Sequence, residues 1–158
     1  MIAKFIVPGE PKGKQRPRTV KNRYTGRTTT YTPEQTVIYE NLVAVSYRQQ
    51  CGRCMLEGPI SAKITAYFQI PKSTSKKNRE KMIEGTIPHT KKIDADNLAK
   101  AILDSLNQIA YHDDAQVSKL EVVKLYGEEP RVEVELAEMD FQSDGKEQGK
   151  QQAEKQEA

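Results

Sequence analysis

The sequence predicts an α+β fold, a two-layer sandwich with two main helices on one face of a mixed, largely antiparallel sheet. Three observations carry this expectation. Residues 60–70 alternate apolar and polar side chains with period two, as a half-buried strand does. Residues 38–45 and 98–109 space apolar side chains as helices do. Residues 117–126 and 131–137 read as two strands joined by Gly127-Glu128-Glu129-Pro130, a hairpin that makes the sheet at least partly antiparallel.

In chain order, residues 2–7 are a β-branched apolar run stopped by Pro8-Gly9 and Pro11, hence a strand. Residues 12–31 are polar and basic and form a long loop, with a β-like stretch at Thr28-Thr29-Thr30-Tyr31; loops of this length are commonly functional. Thr32 is placed to cap a helix, Pro33 to begin it and Gln35 to close a capping box. Ile38, Leu42 and Val45 then form its expected buried stripe, and Gly52 ends it. Residues 71–92 are a second basic loop with room for a short helix. Asp96 can cap the next helix, which runs through Leu98, Ile102, Leu106 and Ile109.

The chain of 158 residues suits one domain. Hydrophobic residues are 36% of it and Trp is absent, so the core is thin. No run approaches the ~20 apolar residues of a membrane span. The opening segment is too short for a signal peptide, and two Cys exclude a disulfide scaffold. A cytoplasmic protein with no membrane partner is expected. Residues 1–137 are taken as the domain and 138–158, rich in Gln, Glu, Lys and Gly, as a disordered acidic tail.

The net charge of +3 conceals a pattern. Without the tail's 3 basic and 6 acidic residues, 22 basic and 16 acidic remain, a net of +6. Residues 1–27 carry 8 basic side chains against one acid, and residues 72–92 carry 7 against 2. Residues 94–114 reverse the sign, with five Asp and one Lys. A basic surface around one acidic spot suits a polyanion and a cation site.

Asp94 and Asp96 point to one side if their segment is extended. Lys100 lies a turn beyond Asp96 on the same helix face, and Asp104 a turn beyond that. Asp113 and Asp114 follow the helix. About 12 helical residues span ~18 Å, so this pair rejoins Asp94 and Asp96 only if the chain folds back along the helix. Gathered carboxylates raise one another's pKa, and a divalent cation keeps them ionised. Mg²⁺, with Mn²⁺ as a substitute, prefers such oxygen ligands and serves phosphodiester cleavage. Lys100 then suits a phosphate or transition-state contact. The plain alternative makes Asp96 a helix cap and Asp113-Asp114 a turn.

Lys12, Lys14, Arg16 and Arg18 occupy alternate positions, so an extended segment would present all four to one nucleic-acid strand, ~6.6 Å apart. Lys72, Lys76, Lys77, Arg79 and Lys81 could form a second arm. Tyr24 and Tyr31 could pack locally or stack on bases. The single Cys51-Gly52-Arg53-Cys54 motif lacks partners for a zinc site, since His89 and His112 have no matching spacing. It also ends a helix, where a redox motif would begin one. The chain has no P-loop, dinucleotide fingerprint or Ser-His-Asp motif.

Val7-Pro8-Gly9-x-Pro11-x-x-Lys14-x-Arg16-Pro17-Arg18, Tyr31-Thr32-Pro33, Asp94-x-Asp96-Asn97-Leu98-x-Lys100, Asp104-x-Leu106 and Asp113-Asp114-x-Gln116-Val117, with Lys124 beyond, together resemble the RusA family of Holliday junction resolvases. The resemblance covers residues 2–137. It implies a RusA-like fold and a Mg²⁺-dependent crossover junction endodeoxyribonuclease. Such an enzyme acts as a homodimer on four-way DNA in recombination and repair, and leaves ligatable 5′-phosphate ends. On that pattern Asp94, Asp96 and Asp114 match metal-binding aspartates and Lys100 an active-site lysine; Asp113 replaces Asp114 if the register shifts by one. Two-fold junction symmetry agrees with an isologous dimer that carries one acidic site per copy. The competing expectations are a DNA-binding module without catalysis, a metal nuclease on other branched or single-stranded DNA, and a thiol or zinc interaction protein.

Overall fold

The computed structural model describes residues 1–140, and the structural statements here concern those residues. β1 (Ile2–Pro8), β4 (Ile60–Gln69), β5 (Val117–Gly127) and β6 (Arg131–Glu138) form one mixed sheet in the order β1-β6-β4-β5. β6 pairs antiparallel with β1 and with β4, and β4 pairs parallel with β5. β2 (Arg18–Lys21) and β3 (Thr28–Tyr31) form a separate antiparallel ribbon inside the first basic loop. Three helices complete the fold: α1 (Glu34–Cys51), α2 (Lys76–Glu84) and α3 (Ala95–Ser105). An α+β fold with a mixed sheet is therefore present.

The expected hairpin is not. β5 and β6 are consecutive, but β4 lies between them. Their short connection crosses the end of β4, where a Cβ on Gly127 would sit 3.2 Å from Tyr67 Cβ. Alternation along β6 marks its inward face (Val132, Val134, Leu136) and says nothing about which strand it joins. Placed between β1 and β4, its backbone groups are paired on both sides.

α1 and α3 lie against each other over the core; α1 also touches β1, and α3 touches β5. The largest fully buried side chains include Tyr47, Ile60, Ile64, Leu98, Ile102, Leu106, Tyr111 and Leu136. α2 buries no residue and packs beside β5 as a third, peripheral helix, capped by Ser75, whose side chain accepts from the Asn78 N–H at 3.3 Å.

α1 corrects two expectations. Pro33 occupies its N-cap, with no side-chain cap bond, so the Thr32–Gln35 box does not form. The Ile38, Leu42 and Val45 stripe is exposed, while Thr36, Tyr39, Val43, Ser46 and Tyr47 are buried. The helix is apolar on two sides, and the side that carries the tyrosines goes inward because each ring removes more area from water. Tyr47 meets Phe5 edge-on at 5.3 Å and donates to the Cys54 carbonyl at 2.5 Å. At its other end α1 protects the sheet: the Gln50 amide accepts from Ile6 N–H and donates to Ile6 C=O, both at 2.8 Å, filling the open edge of β1.

α3 stops at Ser105, short of the expected Ile109, and Tyr111 folds back to donate to the Leu103 carbonyl at 2.6 Å. At the far end, Glu138 accepts from the chain's N-terminal amine at 3.1 Å and from Glu57 N–H at 3.0 Å. The sheet thus extends past the expected boundary at 137. The disorder expected of the tail beyond residue 140 lies outside the described residues.

Matched deletions test the choice of helix face. Val43→Ala should cost about 2 kcal/mol by urea unfolding, from lost burial and a cavity. Val45→Ala, on the exposed face, should cost about 0.5 kcal/mol or less. Equal losses would contradict the assignment.

Candidate active site

α3 turns Leu98, Ala99, Ala101, Ile102 and Leu103 into the core and leaves a polar strip outward. Asp94 stands at the N-cap in extended geometry, and its carboxylate makes no capping bond. Asp96, not itself the cap, is in the first turn; both side chains are exposed. The N-terminal end of the helix dipole favours their negative charge. Lys100 is exposed, and Asp104, further along, is half-buried.

The chain does return along α3, and it returns to the far end. Asp113 and Asp114 open a single 3₁₀ turn, Asp114–Gln116. Asp113 caps it: its carboxylate accepts from Ala115 N–H at 3.3 Å, while Gln116 Oε1 accepts from Asp113 N–H at 3.1 Å. The Asp114 N–H donates to Asn107 Oδ1 at 2.8 Å. This sets the Asp114 carboxyl within hydrogen-bonding reach of Asp104 and Asp113. Along the helix Asp94 and Asp96 are ~15 and ~12 Å from Asp104. The structure therefore does not gather Asp94, Asp96 and Asp114 into one cluster. Among the described residues, no three His, Cys, Asp or Glu side chains converge to enclose a metal ion.

Asp104, outside the expected site set, is the hub. Its Oδ2 receives Lys14 Nζ at 2.6 Å and Lys100 Nζ at 3.4 Å. Lys14 also reaches Glu40 of α1 at 3.2 Å. Burial works against the Asp104 charge, but hydrogen bonds with Lys14 and Asp114 and the charge of Lys100 outweigh it, and its pKa falls. Burial likewise opposes the Lys14 charge, and its two carboxylate partners raise its pKa nonetheless. The hydrogen bond with Asp113, then burial, then Asp104 push the Asp114 carboxyl up to about 6. Asp113 moves down, held ionised by Asp114 and the Ala115 N–H. The sequence signals for this hub are the spacing from Lys100 to Asp104 and the Asp104-x-Leu106 motif.

Lys14 also corrects the expected row of cations. Residues 11–17 are not a strand, so alternate positions do not share a side. Lys14 turns inward, while Lys12, Arg16 and Arg18 are exposed. The loop is fixed by Lys14 N–H to Asn97 C=O at 3.3 Å and Gln15 N–H to Thr36 Oγ1 at 3.1 Å. Gly13 passes so close to the start of α3 that a Cβ there would collide with the Ile93 side chain. A cleft of about 650 Å³ results, lined by Lys12, Arg16, Arg18, Gln35 and Asn97 among others, at the start of α3. The β2–β3 ribbon beyond it carries Arg18 and Lys21 and exposes Tyr24 and Tyr31. Lys72 and Lys76 are exposed as expected, Lys76 opening α2.

The family model for the endodeoxyribonuclease RusA matches residues 8–137. The chain belongs to the RusA endodeoxyribonuclease family. It is also 39% identical over 139 residues to the uncharacterized protein YqaN of Bacillus subtilis (strain 168), across 86% of this chain and 96% of that protein. The matched region takes in the basic loop, α3 and the Asp113-Asp114 turn.

Oxygen donors of this kind suit a divalent metal in a RusA-family nuclease. Mg²⁺ usually binds through one or two carboxylates, with water and phosphate completing its shell. The uncommitted Asp94 and Asp96 fit that pattern. The crowding that raises Asp114 is what a nearby cation relieves.

Two predictions follow from the hub. In metal-free protein the Asp114 carboxyl ¹³C signal should titrate near pH 6, and Asp113→Asn should lower that midpoint by donating to the ionised carboxyl. The sign is that of a raised acid: its stabilising contribution is present at low pH and lost as pH rises through about 6. A midpoint at the ordinary 3.8 would contradict the cluster. Separately, Lys14→Met should cost about 1–2 kcal/mol in urea unfolding, discounted for partial exposure. The exposed Lys12→Met should cost about 0.5 kcal/mol or less.

Proposed function

We propose that this RusA-family protein is a Mg²⁺-dependent, structure-selective endonuclease that resolves four-way DNA junctions by paired symmetric nicks, as a homodimer, in recombination and repair. The observation that carries the reading is the uncommitted Asp94-Asp96 pair at the start of α3, beside a cationic cleft that Lys14 anchors to the same helix. A phosphodiester bound in that cleft would lie near free carboxylates, which supports the reading.

Each residue has a part. Lys12, Arg16 and Arg18 bind backbone phosphates, with Lys72 and Lys76 on a second arm. Asp94 and Asp96 are the proposed metal ligands; Asp114, the third aspartate of the family pattern, stands a helix length from them, beyond the reach of one shared ion. The bound cation would lower the pKa of the attacking water and offset charge on the phosphodiester oxygens. Lys100, at the outer surface of α3, stabilises charge that develops on the phosphate. Lys14 and Asp104 are positioning residues that fix the loop and Asp114. An isologous dimer presents two such sites with the symmetry of the junction.

Asp96→Asn should retain junction binding and lose cleavage by at least about a hundredfold. The parent should cut a mobile four-way junction in Mg²⁺ well above a flap or a duplex, and light scattering should give a dimer. Unchanged cleavage by Asp96→Asn sinks the mechanism. Preference for the flap favours the broader nuclease reading, and salt-sensitive binding without nicking favours a binding module.

A further inference from the structure

A second cleft, of about 560 Å³, opens on the other side of Ile93 and Lys12 from the cationic cleft. Both clefts share those two residues, and Ile93 directly precedes Asp94. The second cleft differs in chemistry. Its wall includes Phe68 at the end of β4, Tyr126 at the end of β5, and His89 from the loop after α2. The His89 ring stacks on Phe68 at 3.7 Å with planes 8° apart and meets Tyr126 at 5.1 Å and 60°. Lys12, Lys91 and Lys92 are exposed on its rim.

His89 is the anomaly. It is 9% exposed, and its Nδ1 has no hydrogen-bond partner among the described residues. Its backbone N–H is bound to the Lys124 carbonyl, and Lys124 Nζ donates to the Lys91 carbonyl, so the loop is fastened to β5. Burial first, then Lys124 and Lys91, lower its pKa, so the ring is neutral near pH 7. Nδ1 is closed off, so a ligand in the cleft can meet this neutral imidazole only at Nε2, which no described residue bonds.

We propose that this cleft is a nucleobase pocket: it takes one unstacked nucleotide of the strand presented to Asp94 and Asp96, and it sets the sequence preference of the cut. The proposal rests on the endonuclease reading above. The volume accommodates a nucleotide. The buried aromatic cluster gives the cleft an apolar floor for a base, the rim lysines match the flanking phosphates, and His89 Nε2, the ring nitrogen that is not closed off, offers one hydrogen bond to a base edge. A branch point supplies such a base cheaply, since pairing and stacking are already broken there. A DNA strand laid through the cationic cleft and past Ile93 would bring its next nucleotide to this pocket.

The test uses four mobile junctions that differ only in the base beside the cut. The parent should cleave one of them about tenfold faster than the least favoured. His89→Phe keeps the ring stack and removes the nitrogens, and it should compress that range to within about threefold. A folding defect would lower all four rates together and leave their ratios intact. Lys92→Ala should slow all four junctions alike. A second measurement does not depend on the variant folding. Full-length Asp96→Asn is bound to a junction with 5-bromodeoxyuridine at that position and irradiated, and the adduct is mapped by mass spectrometry. Crosslinks at Phe68, His89 or Tyr126 support the pocket. An unchanged preference profile in folded His89→Phe, or crosslinks only at other residues, overturns it. If the parent neither binds nor cuts junctions, the endonuclease reading itself fails and the pocket assignment falls with it.

Discussion

The ion pair between Lys14 and Asp104, 2.6 Å long and shared with Glu40, is the constraint on which the rest of the site depends. Residues 11–17 have no regular secondary structure, so ordering them costs roughly 1–2 kcal/mol of backbone entropy per residue. Few apolar groups there offset that cost. The anchors are polar: one half-buried ammonium, two hydrogen bonds from backbone N–H groups, and a glycine that lets the chain lie against Ile93 and Asn97. One lysine thereby joins three elements that the sequence keeps apart: the basic loop, α1 through Glu40, and α3 through Asp104. Without it, Glu40 and Asp104 would face each other as partly buried like charges, and the exposed Lys12, Arg16 and Arg18 would lose their fixed place over the start of α3.

α3 consequently has two acidic ends of different character. At its start Asp94 and Asp96 are exposed, uncapped and unpaired among the described residues, next to the cationic cleft. At its end Asp104 holds Lys14 and Lys100 and lies within hydrogen-bonding reach of Asp114, whose carboxyl is pushed up to about 6. The first arrangement leaves oxygen lone pairs free for an incoming cation or water. In the second, two lysines compensate Asp104, while the crowding that raises Asp114 is not offset. Lys100 stands between them and leans toward Asp104, with its side chain 62% exposed. That exposure leaves its ammonium free to turn to a phosphate at small cost.

The sequence was most legible where a local rule governs. Period two in residues 60–70 located β4, and Gly52, with φ of 69°, ends α1 as expected. The family resemblance, carried by the Asp94-to-Lys100 and Asp113-to-Val117 motifs, agrees with the family match over residues 8–137. It was least legible where a choice between two similar faces or partners is made in three dimensions. Ile38, Leu42 and Val45 offered a helix stripe as good as Tyr39, Val43 and Tyr47, and the side with the larger rings is the one buried. The alternation of cations at 12, 14, 16 and 18 presumed an extended backbone, and Lys14 found carboxylates 26 and 90 positions away that no spacing rule reveals. Zinc spacing gives His89 no role, and the stack that does involve it is formed with strands remote in sequence.

Which carboxylates meet is settled by strand order. A hairpin of β5 and β6 would have put no demand on where β5 begins. Parallel pairing of β4 and β5 does: the chain leaves the end of β4, crosses through α2 and α3, and must re-enter the sheet beside the start of β4. α3 supplies the return leg, so its C-terminal end delivers the chain to the start of β5. The residues just before β5 are Asp113 and Asp114, and their neighbour on α3 is accordingly Asp104 at the near end, with Asp94 and Asp96 a helix length away. The same crossover brings the far ends of β4 and β5 together, where Phe68 pairs with Tyr126, and holds His89 over them. One topological feature therefore places the carboxylate cluster at one end of α3 and the aromatic cleft at the other, beside Asp94. A strand that follows the exposed face of α3 would pass both.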